Sequence, residues 1–410
     1  MVEVTSADSA ADGVGMILPR NVGPTPEGYE IASRVERFVR ETIIPFEGDK
    51  RWGRHGPSET MLAEMRALAR SADILSPHLR SDGHHLSHRD TAMVLRAAGA
   101  SPLGPLALNV AAPDEGNMYL LSRTATEEQK KLFLAPLVAG IVRSAFFMTE
   151  PAADNGAGSD PSMLQTIAER EGDYWVINGR KAFTTGAQGA RVGILMAKTG
   201  DGTTMFLVEL PNPAITIVRI PQTLDSTMPG GHPESRIANL RVDASCILGE
   251  VGAGLGYAQL RLAPARLTHC SRWLGACLRA QDIAAEYATR RRAFGKVLID
   301  HEGVGFMLAE NLIDLKQSEL IINWCADVLD AGALGTSESS MTKVAVSEAL
   351  FRVADRCMQI MGATGIARDT IVEQVFRETR AFRIYDGPTE VHKWSLAKRV
   401  KRETLARLKG

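Results

Sequence analysis

The period of the hydrophobic pattern changes twice along this chain, and each change limits what the chain can fold into. Over residues 26–139 apolar side chains recur at helical spacing, as in Tyr29, Ile31, Val35 and Phe38, and again in Met61, Leu62, Met65 and Leu68. From Ser144 to about Cys246 the pattern shortens. Runs rich in β-branched and aromatic residues begin at Tyr174, Val192, Met205 and Ala214 and are separated by Gly, Asn and Pro. Helical spacing then returns in long runs over 258–289, 304–331, 337–361 and 371–384, followed by a charged tail helix to about Leu408. Four long helices with apolar stripes make a bundle. The expected fold is therefore α+β: a flexible tail over 1–25, an N-terminal helical domain over 26–145, a middle β domain over 146–248 and a C-terminal four-helix bundle within 249–410. A chain of 410 residues exceeds the roughly 250–300 that one core supports, which agrees with a division into domains. Within the β region Asn178-Gly179 is the strongest hairpin signal, so a turn is expected there.

Charge and cysteine usage exclude several classes. The formal net charge is -1, and the basic runs at 290–292 and 398–402 are short, so no nucleic-acid partner is expected. No apolar run approaches the roughly 20 residues that span a bilayer, so no membrane partner is expected. The five cysteines are scattered, odd in number and never spaced Cys-x-x-Cys, which suits free thiols in a reducing compartment. Glu3, Asp8 and Asp12 suit neither a secretory signal nor a transit peptide, so a cytoplasmic protein with a disordered N-terminal tail is expected. His84, His85 and His88 could share a helical face, yet no acid or cysteine stands beside them, and no metal site is expected. The glycines at 252, 254 and 256 and at 362 and 365 lack the dinucleotide spacing, so any nucleotide must be held by a scaffold other than a Rossmann domain.

One acid stands out as a candidate base. Asp386 follows Tyr385 and precedes Gly387 and Pro388, at the junction of a helical run and a loop, where glycine permits close approach and proline fixes the exit. A ligand could reach its carboxylate there; the alternative is that Asp386 only opens a turn. Arg266, in an otherwise apolar helical run, requires a partner.

Several segments in order resemble the acyl-CoA dehydrogenase family, over roughly residues 26–405. They are Thr149-Glu150-Pro151 with Gly156 to Asp160, Asn178 to Thr185, Arg291 to Gly295, Gln359 to Gly365 and Ile384 to Gly387. The segments 112–118, 266–272 and 386–392 are most similar to the branch that contains the human members numbered ten and eleven. The resemblance implies FAD as cofactor and α,β-dehydrogenation of an acyl-CoA thioester to the 2-enoyl-CoA, with Asp386 taking the α proton while a β hydride leaves to the flavin. It implies flavin contacts from Phe147, Met148, Thr149, Gly158, Ser159, Phe183, Thr184, Thr185, Phe294, Gly362, Ala363, Pro388 and Glu390, with Arg291 and Gln359 reaching the flavin of a neighbouring subunit in a homotetramer or homodimer. It implies substrate contacts from Ser159, Arg266 and Gly387, with the Asp386 amide holding the thioester oxygen, and an electron-transferring flavoprotein as acceptor.

The departures are local. Asp386 replaces the usual glutamate and is one methylene shorter, Ala265 stands where some members carry a rival base, and residues 152–155 are inserted in the flavin loop. Phe183 replaces a tryptophan, Ala363 a glycine, and Glu302 a glutamine. Two other readings stay open: a flavin oxidase of the nitroalkane-oxidase type, which also uses aspartate, and a non-catalytic flavin or acyl-CoA binding protein.

Overall fold

The computed structural model describes residues 23–79, 84–152 and 156–409. The tail through residue 22 and most of the 152–155 insertion lie outside these. The N-terminal block holds α1 (Pro26–Phe38), α2 (Glu59–Ser71), α3 (His88–Ala98) and α4 (Asp114–Thr124). Each of the first three starts where the sequence supplies a cap: the hydroxyls of Thr25, Ser58 and Ser87 accept amides of Gly28, Met61 and Asp90. Val35, Val39, Met61, Met65 and Leu95 close the core between these helices.

Seven strands follow: β1 (Ser144–Phe147), β2 (Ile167–Glu171), β3 (Tyr174–Lys181), β4 (Val192–Thr199), β5 (Gly202–Glu209), β6 (Ile215–Arg219) and β7 (Glu234–Asp243). Their order is β1-β4-β2-β3-β7-β6, with β5 on the other side of β4. β1 runs parallel to β4, whereas β4–β5, β2–β3, β3–β7 and β7–β6 are antiparallel. The near-continuous apolar runs of β4 and β5 have a direct cause. Ile194, Met196, Met205 and Leu207 face Met118, Leu121 and Ala258 of the helices, and the alternate residues Leu195, Ala197, Phe206 and Val208 face Trp175, Ile177 and Leu240 of the sheet. Both faces are covered, so neither can be polar.

The turn expected at Asn178-Gly179 does not form. β3 passes through both residues, and its register against β7 slips between Ile177 and Gly179, which is a bulge. A Cβ on Gly179 would lie 2.4 Å from Thr166 Oγ1, so glycine serves close approach of a neighbouring chain. Asn178 Oδ1 accepts the Asn239 amide at 2.8 Å. The β2–β3 reversal sits instead at Gly172, whose φ is 63°. β2 and β7 themselves have no strong apolar run, and the sequence did not single them out.

The C-terminal block holds α5 (Gly254–Arg290), α6 (Glu302–Asp330), α7 (Thr336–Met361), α8 (Val372–Phe382) and α9 (Thr389–Lys409). Cys277, Ala280, Val346, Leu350, Val353 and Cys357 fill its centre, and all five cysteines are free. α3 is seated against α5 through two glycines. A Cβ on Gly99 would lie 2.0 Å from the Arg272 carbonyl, and one on Gly275 would lie 2.0 Å from the Arg96 carbonyl. That crossing lays the N-terminal block along the half of α5 that carries the site. Among the described residues no helix is long and apolar enough to cross a membrane, and no group of three or more His, Cys, Asp or Glu is arranged to hold a metal.

Candidate active site

Asp386 lies just beyond α8, in the left-handed region at φ 53°, and is followed by Gly387 at φ 100°. Backbone of this kind persists only where its surroundings fix it. Here both carbonyls are tied back. The Asp386 carbonyl accepts Arg266 Nε at 3.1 Å and faces His392 Nε2 at 3.1 Å, and the Gly387 carbonyl accepts Lys343 Nζ at 2.7 Å. His392 is held in turn by Ser340 Oγ at 3.0 Å. With its carbonyls committed, the loop leaves the Asp386 amide without a backbone acceptor among the described residues. The carboxylate keeps 21% exposure, so a ligand can reach it.

α5 supplies most of what surrounds that carboxylate. Arg261, Ala265, Thr268, His269 and Arg272 recur at intervals of three and four and form one helical face. His269 Nε2 stands 3.3 Å from Asp386 Oδ2. Arg261 donates to Asn117 Oδ1 at 2.8 Å and lies over the Phe146 ring, while Arg272 faces Glu115 at 3.7 Å and donates to the Val110 carbonyl at 2.7 Å. Thr268 also donates to Glu115, at 2.8 Å. The partner that Arg266 needs is the Asp386 carbonyl. Tyr385 is anchored by Trp273 Nε1 at 2.6 Å, which fixes the approach to Asp386 from the other side.

Electrostatics decide the protonation states. Burial acts to raise the Asp386 pKa, but the His269 hydrogen bond and the charges of Arg261 and Arg266 outweigh it and hold the carboxyl well below its ordinary value. Burial, then Arg272, pushes His269 down to about 4. Neutral His269 thus donates Nε2–H to an ionised Asp386. Burial likewise brings His392 to about 4 and Lys343 to about 8, and raises Glu115.

The residues implied as flavin contacts fall into separate groups. Met148 and Thr149 adjoin Phe183, Thr184 and Thr185, because the Ala182 amide donates to the Thr149 carbonyl at 2.8 Å. Phe183 has φ 51° and is 60% exposed, while Thr184 Oγ1 is buried without a partner among the described residues. Phe147 points the other way, into the sheet core with Trp175 and Phe206; Phe146 shares the face of Met148 and meets Arg261. Gly158 and Ser159 are exposed on the loop after β1, and Pro388 and Glu390 lead into α9.

Arg291, Phe294, Gln359, Gly362 and Ala363 do not join Asp386. They are exposed at the far end of the bundle, where α5 and α7 both finish; the two helices run together, with Cys277 Sγ at 3.6 Å from the Leu350 carbonyl. At 1.5 Å per residue, Arg291 lies about 37 Å along α5 from Arg266. Phe294 is 95% exposed at φ 49°.

The sequence reading missed Glu115, Lys343, Asp225 and His232 as members of this region. Glu115 and Lys343 stand in helices that carry other charged residues, so charge alone does not single them out.

Comparison with known proteins follows this geometry. The family models for the acyl-CoA dehydrogenase middle and C-terminal domains match residues 145–229 and 252–401. The chain is 33% identical over 405 residues to acyl-CoA dehydrogenase family member 11 of Gallus gallus, covering 92% of this chain and 52% of that protein, so it spans about half that relative's length. It is 34% identical over 391 residues to the probable acyl-CoA dehydrogenase FadE2 of Mycobacterium tuberculosis, covering 91% and 95% of the two chains. Among solved structures, a glutaryl-CoA dehydrogenase from Mycobacterium smegmatis in complex with FADH2 aligns with a TM-score of 0.81 and 25% identity, covering 92% and 95%.

Proposed function

The chain belongs to the acyl-CoA dehydrogenase family, and from that premise we propose that it desaturates an acyl-CoA thioester between Cα and Cβ, with Asp386 as the base and FAD as cofactor. The single observation that carries this reading is the placement of the Asp386 carboxylate: ionised, accessible, and fixed by a backbone whose carbonyls are all turned to Arg266, His392 and Lys343.

Residues of this chain fit a flavin along one edge. The exposed Phe183 ring offers it an apolar face, the unpartnered Thr184 hydroxyl and the Thr185 hydroxyl offer it polar contacts, and Met148 and Thr149 border them. FAD, when bound, supplies the two-electron acceptor for the β hydrogen.

The remaining work belongs to the protein. An α C–H bond breaks, its proton goes to Asp386, and its electron pair forms the Cα–Cβ double bond as the β hydrogen departs as hydride. A carboxylate is a weak base for such a proton, so the charge developing on the thioester must be stabilised. Four buried cations, Arg261, Arg266, Arg272 and Lys343, stand against two carboxylates, Glu115 and Asp386. That excess of positive charge favours an enolate-like transition state, to whose oxygen the Asp386 amide, without a backbone acceptor among the described residues, would donate. His269 holds the carboxylate in one orientation without adding a charge.

The distant group of Arg291, Phe294, Gln359, Gly362 and Ala363 is read as serving the flavin of a second copy, in a homodimer or homotetramer. An electron-transferring flavoprotein is the acceptor that the family resemblance implies.

Anaerobic titration of the FAD-loaded protein with a panel of acyl-CoA thioesters tests the whole reading. Bleaching of the visible flavin band by at least one thioester is expected, and the preferred chain reports the acyl length that the site accepts. No bleaching by any thioester, in protein that retains FAD, would overturn it.

A further inference from the structure

A chain of side chains runs from Thr185 through His232 to Asp225. His232 Nε2 lies 2.7 Å from Asp225 Oδ2, and His232 Nδ1 lies 2.9 Å from Thr185 Oγ1. The backbone fixes this facing. The Thr184 amide donates to the Pro233 carbonyl at 3.0 Å and the Gly186 amide to the Gly231 carbonyl at 2.9 Å, one bond on each side of the Thr185–His232 pair. Asp225 is equally constrained. The Leu224 carbonyl accepts Arg377 at 2.8 Å, the Ser226 carbonyl accepts Trp52 Nε1 at 2.7 Å, and the Ser226 amide donates to Glu378 at 2.8 Å.

We propose that His232, oriented by Asp225, is a positioning residue that commits the Thr185 hydroxyl proton, so that Thr185 Oγ1 can act only as a hydrogen-bond acceptor toward the flavin. The inference rests on the reading of Thr185 as a flavin contact and goes beyond it. A carboxylate accepts and cannot donate, so Nε2 carries the proton. In its neutral form the ring then presents a lone pair at Nδ1, and the single hydroxyl proton of Thr185 goes there. What Thr185 offers on its other side is two lone pairs. A flavin nitrogen that gains its proton on reduction pairs with an acceptor only in the reduced form, so at such a nitrogen the arrangement favours the reduced cofactor. Asp225 fits the role: burial acts to raise its pKa, but the hydrogen bond from His232 keeps the carboxyl low.

Two measurements on the FAD-loaded protein test this. The first is the midpoint potential of the bound flavin in the wild type, Thr185→Val, His232→Gln and Asp225→Asn, and in each of the last two combined with Thr185→Val. Loss of one such hydrogen bond is expected to reduce the preference for reduced flavin about fivefold, about 20 mV for a two-electron couple. Thr185→Val, His232→Gln and Asp225→Asn should each lower the potential by that order, and the double variants no further than Thr185→Val alone. The second is the nitrogen NMR spectrum of histidine-labelled wild type, which is expected to show His232 protonated at Nε2 only.

An unchanged potential in Thr185→Val would overturn the flavin contact itself. A shift in Thr185→Val without one in His232→Gln and Asp225→Asn would overturn the proposal and leave the contact standing. So would a His232 ring protonated on both nitrogens, and that spectrum decides the matter even if a variant fails to hold FAD.

Discussion

Asp386 and Glu378 show how neighbours decide what a carboxyl does. Burial acts to raise both, but Asp386 has a donor and two arginines and stays low, whereas Glu378 meets Asp225 and is pushed up to about 7. Replacing Asp386 with Asn should slow thioester-driven flavin bleaching at least about 10²-fold with FAD still bound, measured by stopped flow. His269→Ala removes the donor that holds the Asp386 pKa down, so that pKa should rise. An acid limb should then appear in the pH dependence of the reductive rate, where the wild type stays flat through pH 5. For Glu378 the sign is opposite. Its folded pKa lies above the unfolded value of 4.5, so its contribution to stability is complete below about 4.5 and is lost as pH rises to about 7, at about 1.4 kcal/mol per pH unit. Glu378→Gln should flatten the stability profile in that window, read from urea midpoints at successive pH values.

At the scale of elements, the position of α5 relative to its neighbours controls the site. Its single face from Arg261 to Arg272 meets Asn117, Glu115 and the Asp386 loop, and α3 approaches it to backbone contact at Gly99 and Gly275. Gly275→Ala is expected to destabilise the fold by about 1–3 kcal/mol, and by denaturant titration should do so more than the same change at Gly256, where nothing lies within 4 Å. The same reasoning explains Asn178-Gly179. Those residues satisfy a two-residue turn, yet they equally satisfy a bulge against β7 with close contact to Thr166, and only the neighbouring strands select between the two.

At the scale of the whole molecule, one face of the bundle is not finished. Phe306, Ile313 and Leu320 recur every seven residues on the outside of α6, with Leu312 beside them, and all are exposed, as is Phe294 at the distant group. A second copy that covers this apolar stripe would also bring a flavin toward Arg291 and Gln359. Ile313→Asp with Leu320→Asp is therefore expected to convert the protein to a smaller species by sedimentation and to loosen FAD. A wild-type monomer that keeps FAD tightly would contradict this.

The sequence by itself determined the order of helices, strands and helices, because hydrophobic period follows directly from 3.6 and two residues per repeat. It also determined the family, through motifs whose order along the chain is specific, and it marked Asp386 as a candidate, because the glycine after it permits close approach and the proline fixes the exit. Tertiary structure decided the rest. The surroundings of Asp386 come from Arg266, His269, Lys343 and His392, which lie 120, 117 and 43 residues before it and six after it, and no local pattern encodes that meeting. Phe147 and Phe146 look alike as neighbours in a strand, but strand alternation sends one into the sheet core and the other to Arg261. Glu115, Asp225 and His232 left no sequence signal, because a buried charge acquires its role only from the partner that folding brings to it.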